Sequence, residues 1–363
     1  MNFQIPTRIF QEDNAVKNHG SEIAHCGKKA LIVTGRSSAK KNGALNDVET
    51  VLKEFHIQYV IFDEVEENPS VSSIMKAATL GRAEGTDFVI GIGGGSPLDA
   101  AKAIALMIQN RDCSEEVLFE TVSLRSLPVI AIPTTCGTGS EVTQFAILSR
   151  ADTQTKQCIS HAVYPELALV DSRYLAFAPE KVIIHTAIDT LGHILESYFN
   201  NRATDYSRML SQYAMEVWGC CVPVLCGMEA TKEDYDRMMF ASTLAGMAFS
   251  HTGTTLPHGL SYYLTYHKHI PHGKAVGLFL PQYLKALPEE WDVQVLMALR
   301  ALGFGSLEQF EGFINGILGK IALSDAEKEA MAASVANNPD KLAQVPYSVT
   351  KEDILQMIEE IRE

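Results

Sequence analysis

Two rhythms of apolar residues divide the chain. In the first half, short runs rich in Val, Ile and Leu at 29–34, 59–62, 87–91 and 128–132 predict strands, because β-branched side chains suit a pleated, buried surface. Between them, apolar positions at helical spacing predict helices over 44–55, 70–84 and 97–110. Strand and helix in alternation predict a parallel sheet covered on both faces. Further on, 145–149 and 157–160 flank the polar stretch 150–156 and predict a β-hairpin, and 167–170 predicts one more strand. From about residue 180 the strand signal stops. The segments 181–200, 205–226, 232–249, 292–301, 307–318, 324–335 and 350–362 predict helices, some with polar caps such as Ser324 and Thr350. The expected organisation is an α/β domain over 1–179 followed by an all-helical domain over 180–363, with the boundary near Pro179 and no internal repeat, low-complexity tract or long linker.

Composition narrows the partners. A chain of 363 residues, 46% hydrophobic and 20% charged, is long enough for two cores. Its formal net charge of -14 argues against nucleic-acid phosphates and anionic membranes, both of which need clustered positive surface. Small molecules are the expected partners. The seven cysteines are odd in number, include the adjacent Cys220 and Cys221, and form no CxxC pair. They read as reduced thiols, which points to the cytoplasm. No apolar stretch approaches the roughly 20 residues that span a bilayer, and the N-terminus lacks a basic start followed by an apolar core, so neither export nor anchoring is expected.

Candidate chemistry begins at two loops. The run Gly93-Gly94-Gly95-Ser96-Pro97 carries a strand into a helix. With Pro97 in the first turn, the amides of Gly94, Gly95 and Ser96 would face outward at a helix N-terminus, a ready site for a pyrophosphate. The alternative is a tight βα turn that needs only flexible backbone. A second loop, 133–143, again follows a strand and offers the hydroxyls of Thr134, Thr135, Thr138 and Thr143. It reads either as a solvated turn or as an uncharged set of cofactor contacts. The turn after Thr34, comprising Gly35, Arg36, Ser37, Ser38, Lys40, Lys41 and Asn42, decides which nicotinamide is expected. NAD sites place an acidic residue after a strand, whereas NADP sites need donors and positive charge for the 2′-phosphate. From Lys28 to Lys41 there are five cations and no acid. The expectation is NADP, with a plain surface basic patch as the alternative.

A metal constellation follows. Asp189 and His193 stand four residues apart in an expected helix, which puts them on one face with about 6 Å between Cβ atoms. Alone, such a pair is better explained by a side-chain hydrogen bond. The tripeptide Pro-His-Gly then occurs twice, at His258 and at His272. Together these are one carboxylate and three imidazoles, a set that leaves a divalent ion net positive and able to act as a Lewis acid on an alcohol oxygen. Imidazole suits iron, zinc, nickel and copper, so the ligand types leave the metal open. His25, His161 and His185 read as ordinary histidines.

The segments Gly93-Gly-Gly-Ser-Pro-Leu-Asp-Ala-Ala-Lys102, Pro133-Thr-Thr-Cys-Gly-Thr-Gly-Ser-Glu141, Asp189-Thr-Leu-Gly-His193-Ile-Leu-Glu196 and the two Pro-His-Gly units resemble the iron-containing (group III) alcohol dehydrogenases over almost the whole chain. The resemblance implies a Rossmann-like α/β N-terminal domain and an all-α C-terminal domain of the dehydroquinate synthase-like superfold, with nicotinamide and metal meeting in a cleft. It implies Asp189, His193, His258 and His272 as ligands of a divalent metal, iron(II) foremost with zinc or nickel as alternatives. Gly94, Gly95 and Ser96 fall at the pyrophosphate, with Asp99 in the same motif. Thr134, Thr135, Thr138 and Thr143 line the cofactor, Lys156 matches a ribose-contacting lysine, and Phe249 matches an aromatic beside the nicotinamide. Many members carry a histidine for proton relay where this chain has Tyr262. The relay is therefore open between the Tyr262 hydroxyl, His267 and metal-bound water, and Tyr262 is expected to be a pocket wall. The implied activity is NAD(P)-linked oxidation of a small alcohol, reversible to aldehyde or ketone reduction, by a homodimer. Alternatives are a polyol dehydrogenase, a dehydroquinate-synthase-like lyase, whose pattern uses a glutamate ligand, and a non-catalytic dinucleotide sensor.

Overall fold

A computed structural model describes residues 3–361; the end of the expected helix 350–362 lies outside them. The chain forms two compact units, one over Gln4–Ile183 and the other from Ile184 onward with Phe3.

The first unit is built on eight strands: β1 (Arg8–Gln11), β2 (Lys29–Thr34), β3 (Gln58–Phe62), β4 (Phe88–Gly93), β5 (Val129–Pro133), β6 (Ile147–Arg150), β7 (Thr155–Cys158) and β8 (Leu167–Val170). Six of them form a parallel sheet in the order β1-β8-β5-β4-β2-β3, while β6 and β7 pair antiparallel as the expected hairpin. Successive residues along a strand face opposite sides, and both sides are buried. Leu31, Val33, Val89 and Val129 belong to one core, and Ala30, Ile32, Ile90 and Ile132 to the other. That double burial explains why these strands read as continuous apolar runs rather than alternating ones. The edge strand β1 was not expected: it has four residues, and both Arg8 and Gln11 are exposed, so no apolar run announces it. It is specified by its register on β8, Arg8 opposite Leu167 and Gln11 opposite Val170.

In sequence the sheet grows from β2 toward β3 on one side and through β4 and β5 on the other. The reversal falls between β2 and β4. Ligands of such sheets bind outside the C-terminal strand ends at this switch point, where the turn after Thr34 and the glycine run after Gly93 both lie.

The second unit is helical. Its helices include Glu180–Tyr198, Asp205–Gly219, Lys232–Thr252, Leu256–Lys268, His272–Gly277, Asp292–Ala301, Leu307–Leu318, Asp325–Ala336 and Lys351–Glu359. The helix expected over 205–226 is broken after Gly219, and a short turn of helix, Val222–Leu225, restarts with Pro223 in its first turn. Proline has no amide to continue the preceding helix. Conversely, Leu256–Lys268 and His272–Gly277 are helices although Pro257 and Pro271 look like breakers. Pro257 lies in a first turn and Pro271 just before one, where a missing amide costs nothing. No described helix is long and apolar enough to cross a membrane.

Candidate functional site

At the switch point of the sheet the two loops are joined. The amide of Thr134 donates to the carbonyl of Gly93 at 2.9 Å, continuing the β4–β5 ladder into the loops. Helix Gly95–Gln109 starts without a side-chain cap, leaving its first amides available to an anion. Gly95 fits closely there, since a Cβ would lie 2.5 Å from Thr138 Cγ2 and displace that side chain. Ser96 Oγ accepts from the Asn68 amide at 3.1 Å, which ties the segment after β3 to the same place. Thr134 is buried, while Thr135 and Thr138 are half-buried.

Two expected cofactor residues turn inward. Asp99 accepts from Ser140 Oγ at 2.6 Å and from the Ile147 amide at 2.8 Å, and Thr143 Oγ1 accepts from Lys102 Nζ at 3.3 Å. Their polar atoms serve the interior of the unit. Lys156, on β7, is half-buried, and its charge helps to lower the pKa of Asp99, which burial nevertheless keeps above its ordinary value.

The cation-rich turn is smaller than its sequence suggests. Lys28 and Lys29 lie at the N-terminal end of β2, a full strand from Thr34, and Lys29 pairs with Glu84 at 2.8 Å. At the other end stand Arg36, Lys40 and Lys41, all exposed beside exposed Ser37 and Ser38. Lys40 Nζ lies 2.5 Å from Asp63 Oδ2, just beyond β3. Lys40, and less strongly Arg36, hold the Asp63 carboxyl below its usual range. Gly35 is half-buried; Asn42 is buried and accepts from the Ala44 amide at 3.0 Å.

In the second unit, helix Glu180–Tyr198 presents Asp189, His193 and Glu196 at intervals of four and three residues, hence on one face. Helix His272–Gly277 packs tightly against it. At Gly273, in the second Pro-His-Gly unit, a Cβ would lie 1.7 Å from the carbonyl oxygen of His185. Only glycine permits that approach, and it brings His272 to Asp189. Asp189 Oδ1 lies 3.5 Å from His258 Nε2 and 3.6 Å from His272 Nε2. One potential ligand atom from each of these three residues falls within 4.8 Å of the others.

Asp189 Oδ1 and His258 Nε2 are buried and have no hydrogen-bond partner. Two such atoms facing each other are costly, and a cation about 2.0–2.2 Å from each would satisfy both. The donor set fits a divalent metal. Burial opposes the ionised carboxylate of Asp189, yet His272, His193 and His258 outweigh it and hold the pKa far below the usual range. For His258, burial opposes the charged ring, while Glu196 and Asp189 push it up to about 9. Both shifts describe a pocket arranged for a positive charge beside a carboxylate.

His193 lies outside the three-residue set, with its ring stacked on Phe249 at 4.1 Å between centroids and 4.4 Å from the ring of His258. Tyr262 is half-buried, its ring 6.2 Å from that of His272. His267, by contrast, is exposed and packs its ring against Tyr263 and Tyr266, so it is not brought to the metal-binding group. Five residues after Tyr262, it points well away from it around the helix.

Glu196 was missing from the expected site. Its Oε1 accepts a short hydrogen bond from His258 Nδ1, and its Oε2 accepts from the Thr255 amide at 2.5 Å and Thr255 Oγ1 at 3.0 Å. By binding Nδ1 it directs the lone pair of Nε2 toward Asp189. The available signal was its spacing, seven residues after Asp189 on the same helical face.

The family model for iron-containing alcohol dehydrogenase matches residues 6–172, and that for the C-terminal region of the Fe-containing alcohol dehydrogenase family matches residues 183–361. The chain belongs to the iron-containing alcohol dehydrogenase family. It is an oxidoreductase. An iron-containing alcohol dehydrogenase of Thermotoga maritima superposes with a TM-score of 0.93 at 39% identity, covering 99% of each chain. An NADPH-dependent butanol dehydrogenase of Clostridium saccharobutylicum is 33% identical over 264 residues, 71% of this chain and 68% of that one. A 1,3-propanediol dehydrogenase of Klebsiella pneumoniae is 29% identical over 324 residues, 87% of this chain and 84% of the relative. In this member of the family, as in the superfold implied by its motifs, a parallel-sheet unit precedes a helical one.

Proposed function

We propose that this alcohol dehydrogenase moves hydride reversibly between a small alcohol and a nicotinamide, with NADP preferred over NAD and a divalent metal required. The first unit, expected over 1–179, takes the dinucleotide-binding role, and the second, expected over 180–363, holds the metal and the substrate. The observation that carries the metal requirement is the facing pair of buried, unpartnered atoms, Asp189 Oδ1 and His258 Nε2. Asp189, His193, His258 and His272 would hold the ion, with iron(II) favoured by the family and zinc or nickel compatible with the ligands. When bound, the metal supplies a Lewis acid to the alcohol oxygen, and the nicotinamide supplies the hydride acceptor.

The protein's own groups bind and orient. Glu196 fixes the tautomer of His258, and Phe249 supports the ring of His193 by stacking on it. Amides of Gly94, Gly95 and Ser96 receive the pyrophosphate, Thr134, Thr135 and Thr138 offer hydroxyls, and Lys156 reaches the ribose. Arg36, Ser37, Ser38, Lys40 and Lys41 supply donors for a 2′-phosphate. Tyr262 walls the pocket beside His272; a Tyr262→Phe enzyme should keep its rate and pH profile. The expected assembly is a cytoplasmic homodimer, to be checked by light scattering against a protomer mass of 39.8 kDa.

The test is a spectrophotometric screen of small alcohols and aldehydes with NAD(H) and NADP(H), using metal-stripped protein reconstituted separately with iron(II), zinc and nickel. Turnover should vanish on stripping and return with at least one ion, with higher kcat/KM for NADP. Folded protein that no divalent ion reactivates would refute the metal requirement, and higher kcat/KM for NAD would refute the cofactor preference.

A further inference from the structure

An ammonium group lies inside the first unit. Lys102, in helix Gly95–Gln109, is 0% exposed. It donates to Ser140 Oγ at 2.8 Å, to Thr143 Oγ1 at 3.3 Å and to the Phe145 carbonyl at 2.7 Å. All three acceptors belong to the segment after β5. One turn earlier on the same helix, Asp99 accepts from Ser140 Oγ and from the amide of Ile147, the first residue of β6. Ser140 thus accepts from the lysine and donates to the aspartate, whose Oδ1 is 3.9 Å from Nζ. Burial drives the Lys102 pKa down to about 8 although Asp99, Glu141 and Cys158 pull it upward.

A buried ion is expensive and contributes little to stability compared with an apolar side chain of the same volume. What it offers is direction. The segment 134–140, Thr-Thr-Cys-Gly-Thr-Gly-Ser, has little apolar surface with which to pack against the sheet. Three directed bonds from one nitrogen fix where the segment lies relative to the glycine-rich helix. Asp99 extends the link to β6 through the Ile147 amide, and the hairpin partner β7 carries Lys156. Each element joined by Lys102 and Asp99, or in the case of β6 its hairpin partner, therefore carries candidate cofactor contacts, and none carries a member of the candidate metal group.

We propose that Lys102, acting with Asp99, is a positioning residue for the cofactor: it locks the 134–146 segment and the β6–β7 hairpin to helix Gly95–Gln109, so that backbone amides, threonine hydroxyls and Lys156 form one preorganised site for a dinucleotide. This rests on the dehydrogenase reading above. Neither side chain touches the cofactor; both set the geometry of groups that do.

The test pairs Lys102→Met with Asp99→Asn in one protein. The double change removes both charges together and leaves an amide oxygen to accept from Ile147, so neither member of the Lys102–Asp99 pair is left buried without the other. Dissociation constants for NADP and NAD are measured by protein fluorescence, with melting temperature, metal content and steady-state constants taken on the same samples. The cofactor Kd and KM should rise about tenfold or more, while kcat at saturating cofactor stays within about threefold and metal content is unchanged. A merely structural role would lower the melting temperature and leave the KM-to-kcat split where it was. Ser140→Ala, which deletes only the bridging hydroxyl, should raise Kd by a smaller factor and decides the matter if the double variant does not fold. Unchanged cofactor affinity in folded variants overturns the positioning role alone. Wild-type protein that binds neither dinucleotide overturns the dehydrogenase reading, and this inference with it.

Discussion

The two units solve opposite problems with opposite materials. At the switch point of the sheet, the groups offered to a ligand are backbone amides, threonine hydroxyls and exposed cations, and the charges turned inward are those of buried Lys102 and half-buried Asp99. In the helical unit buried charged groups are themselves offered: Asp189 and His258 are each 3% exposed, while fully buried Glu196 binds His258 Nδ1. A dinucleotide is large and polyanionic, so many weak donors spread along a loop can bind it. A metal ion is a point charge, and a few desolvated ligands suit it better. Loss of one contact should therefore be graded in the first unit and drastic in the second.

Asp189→Ala tests the drastic side. It removes the carboxylate that faces both His258 Nε2 and His272 Nε2, and three imidazoles without it lose the negative charge that holds a cation. We expect bound metal, measured by elemental analysis, to disappear and kcat/KM to fall about a thousandfold or more, the scale of losing several kcal/mol of transition-state stabilisation. A variant that retains both metal and rate would break the comparison at its centre. Glu196→Gln is the next step down. The amide can still meet His258 Nδ1, but without the charge that raises ligand basicity, so metal affinity should drop about 10–100-fold with the fold intact by circular dichroism.

Gly95→Ala probes the graded side. The new methyl would meet Thr138 Cγ2 at 2.5 Å, and the side chain of Thr138 can rotate away, at the expense of its hydroxyl's acceptance from the Ser140 amide at 3.3 Å. Cofactor KM should rise about tenfold with metal content untouched. Loss of metal in this variant would mean that the two regions are not independent.

The sequence made these regions legible to different depths. Strands β2, β4 and β5 are visible because a doubly covered parallel sheet demands continuous apolar runs, whereas β1 is specified by its partner and carries no such run. The candidate metal residues are visible as types and spacings, Asp189 with His193 and two Pro-His-Gly units. Glu196 was not, because its partner His258 lies 62 residues away and only helix packing brings them together. The inward orientation of Asp99 and Thr143 was hidden for the same reason: a motif lists residues on a loop without saying which face the interior. His267 shows the converse error, where nearness in sequence to Tyr262 suggested a shared role that the turn of the helix denies.

Charge counting was the least dependable guide, and it yields the smallest expected effect. Five cations between Lys28 and Lys41 suggested a 2′-phosphate site, but Lys28 and Lys29 sit at the far end of β2 and Lys40 is paired with Asp63. If the turn after Thr34 receives the adenosine end of NADP, the phosphate must compete with Asp63 for Lys40. The pair is exposed on both sides, and such pairs are worth at most about 1 kcal/mol. Asp63→Asn should therefore raise the ratio of kcat/KM for NADP to that for NAD by about two- to fivefold. The gain should arise in KM for NADP, since the released lysine acts on a phosphate that NAD lacks. A ratio that stays constant while Lys40→Ala also leaves it unchanged would remove the turn from cofactor discrimination. The nicotinamide preference would then have to come from elsewhere at the switch point, such as Arg36 or the hydroxyls of Ser37 and Ser38.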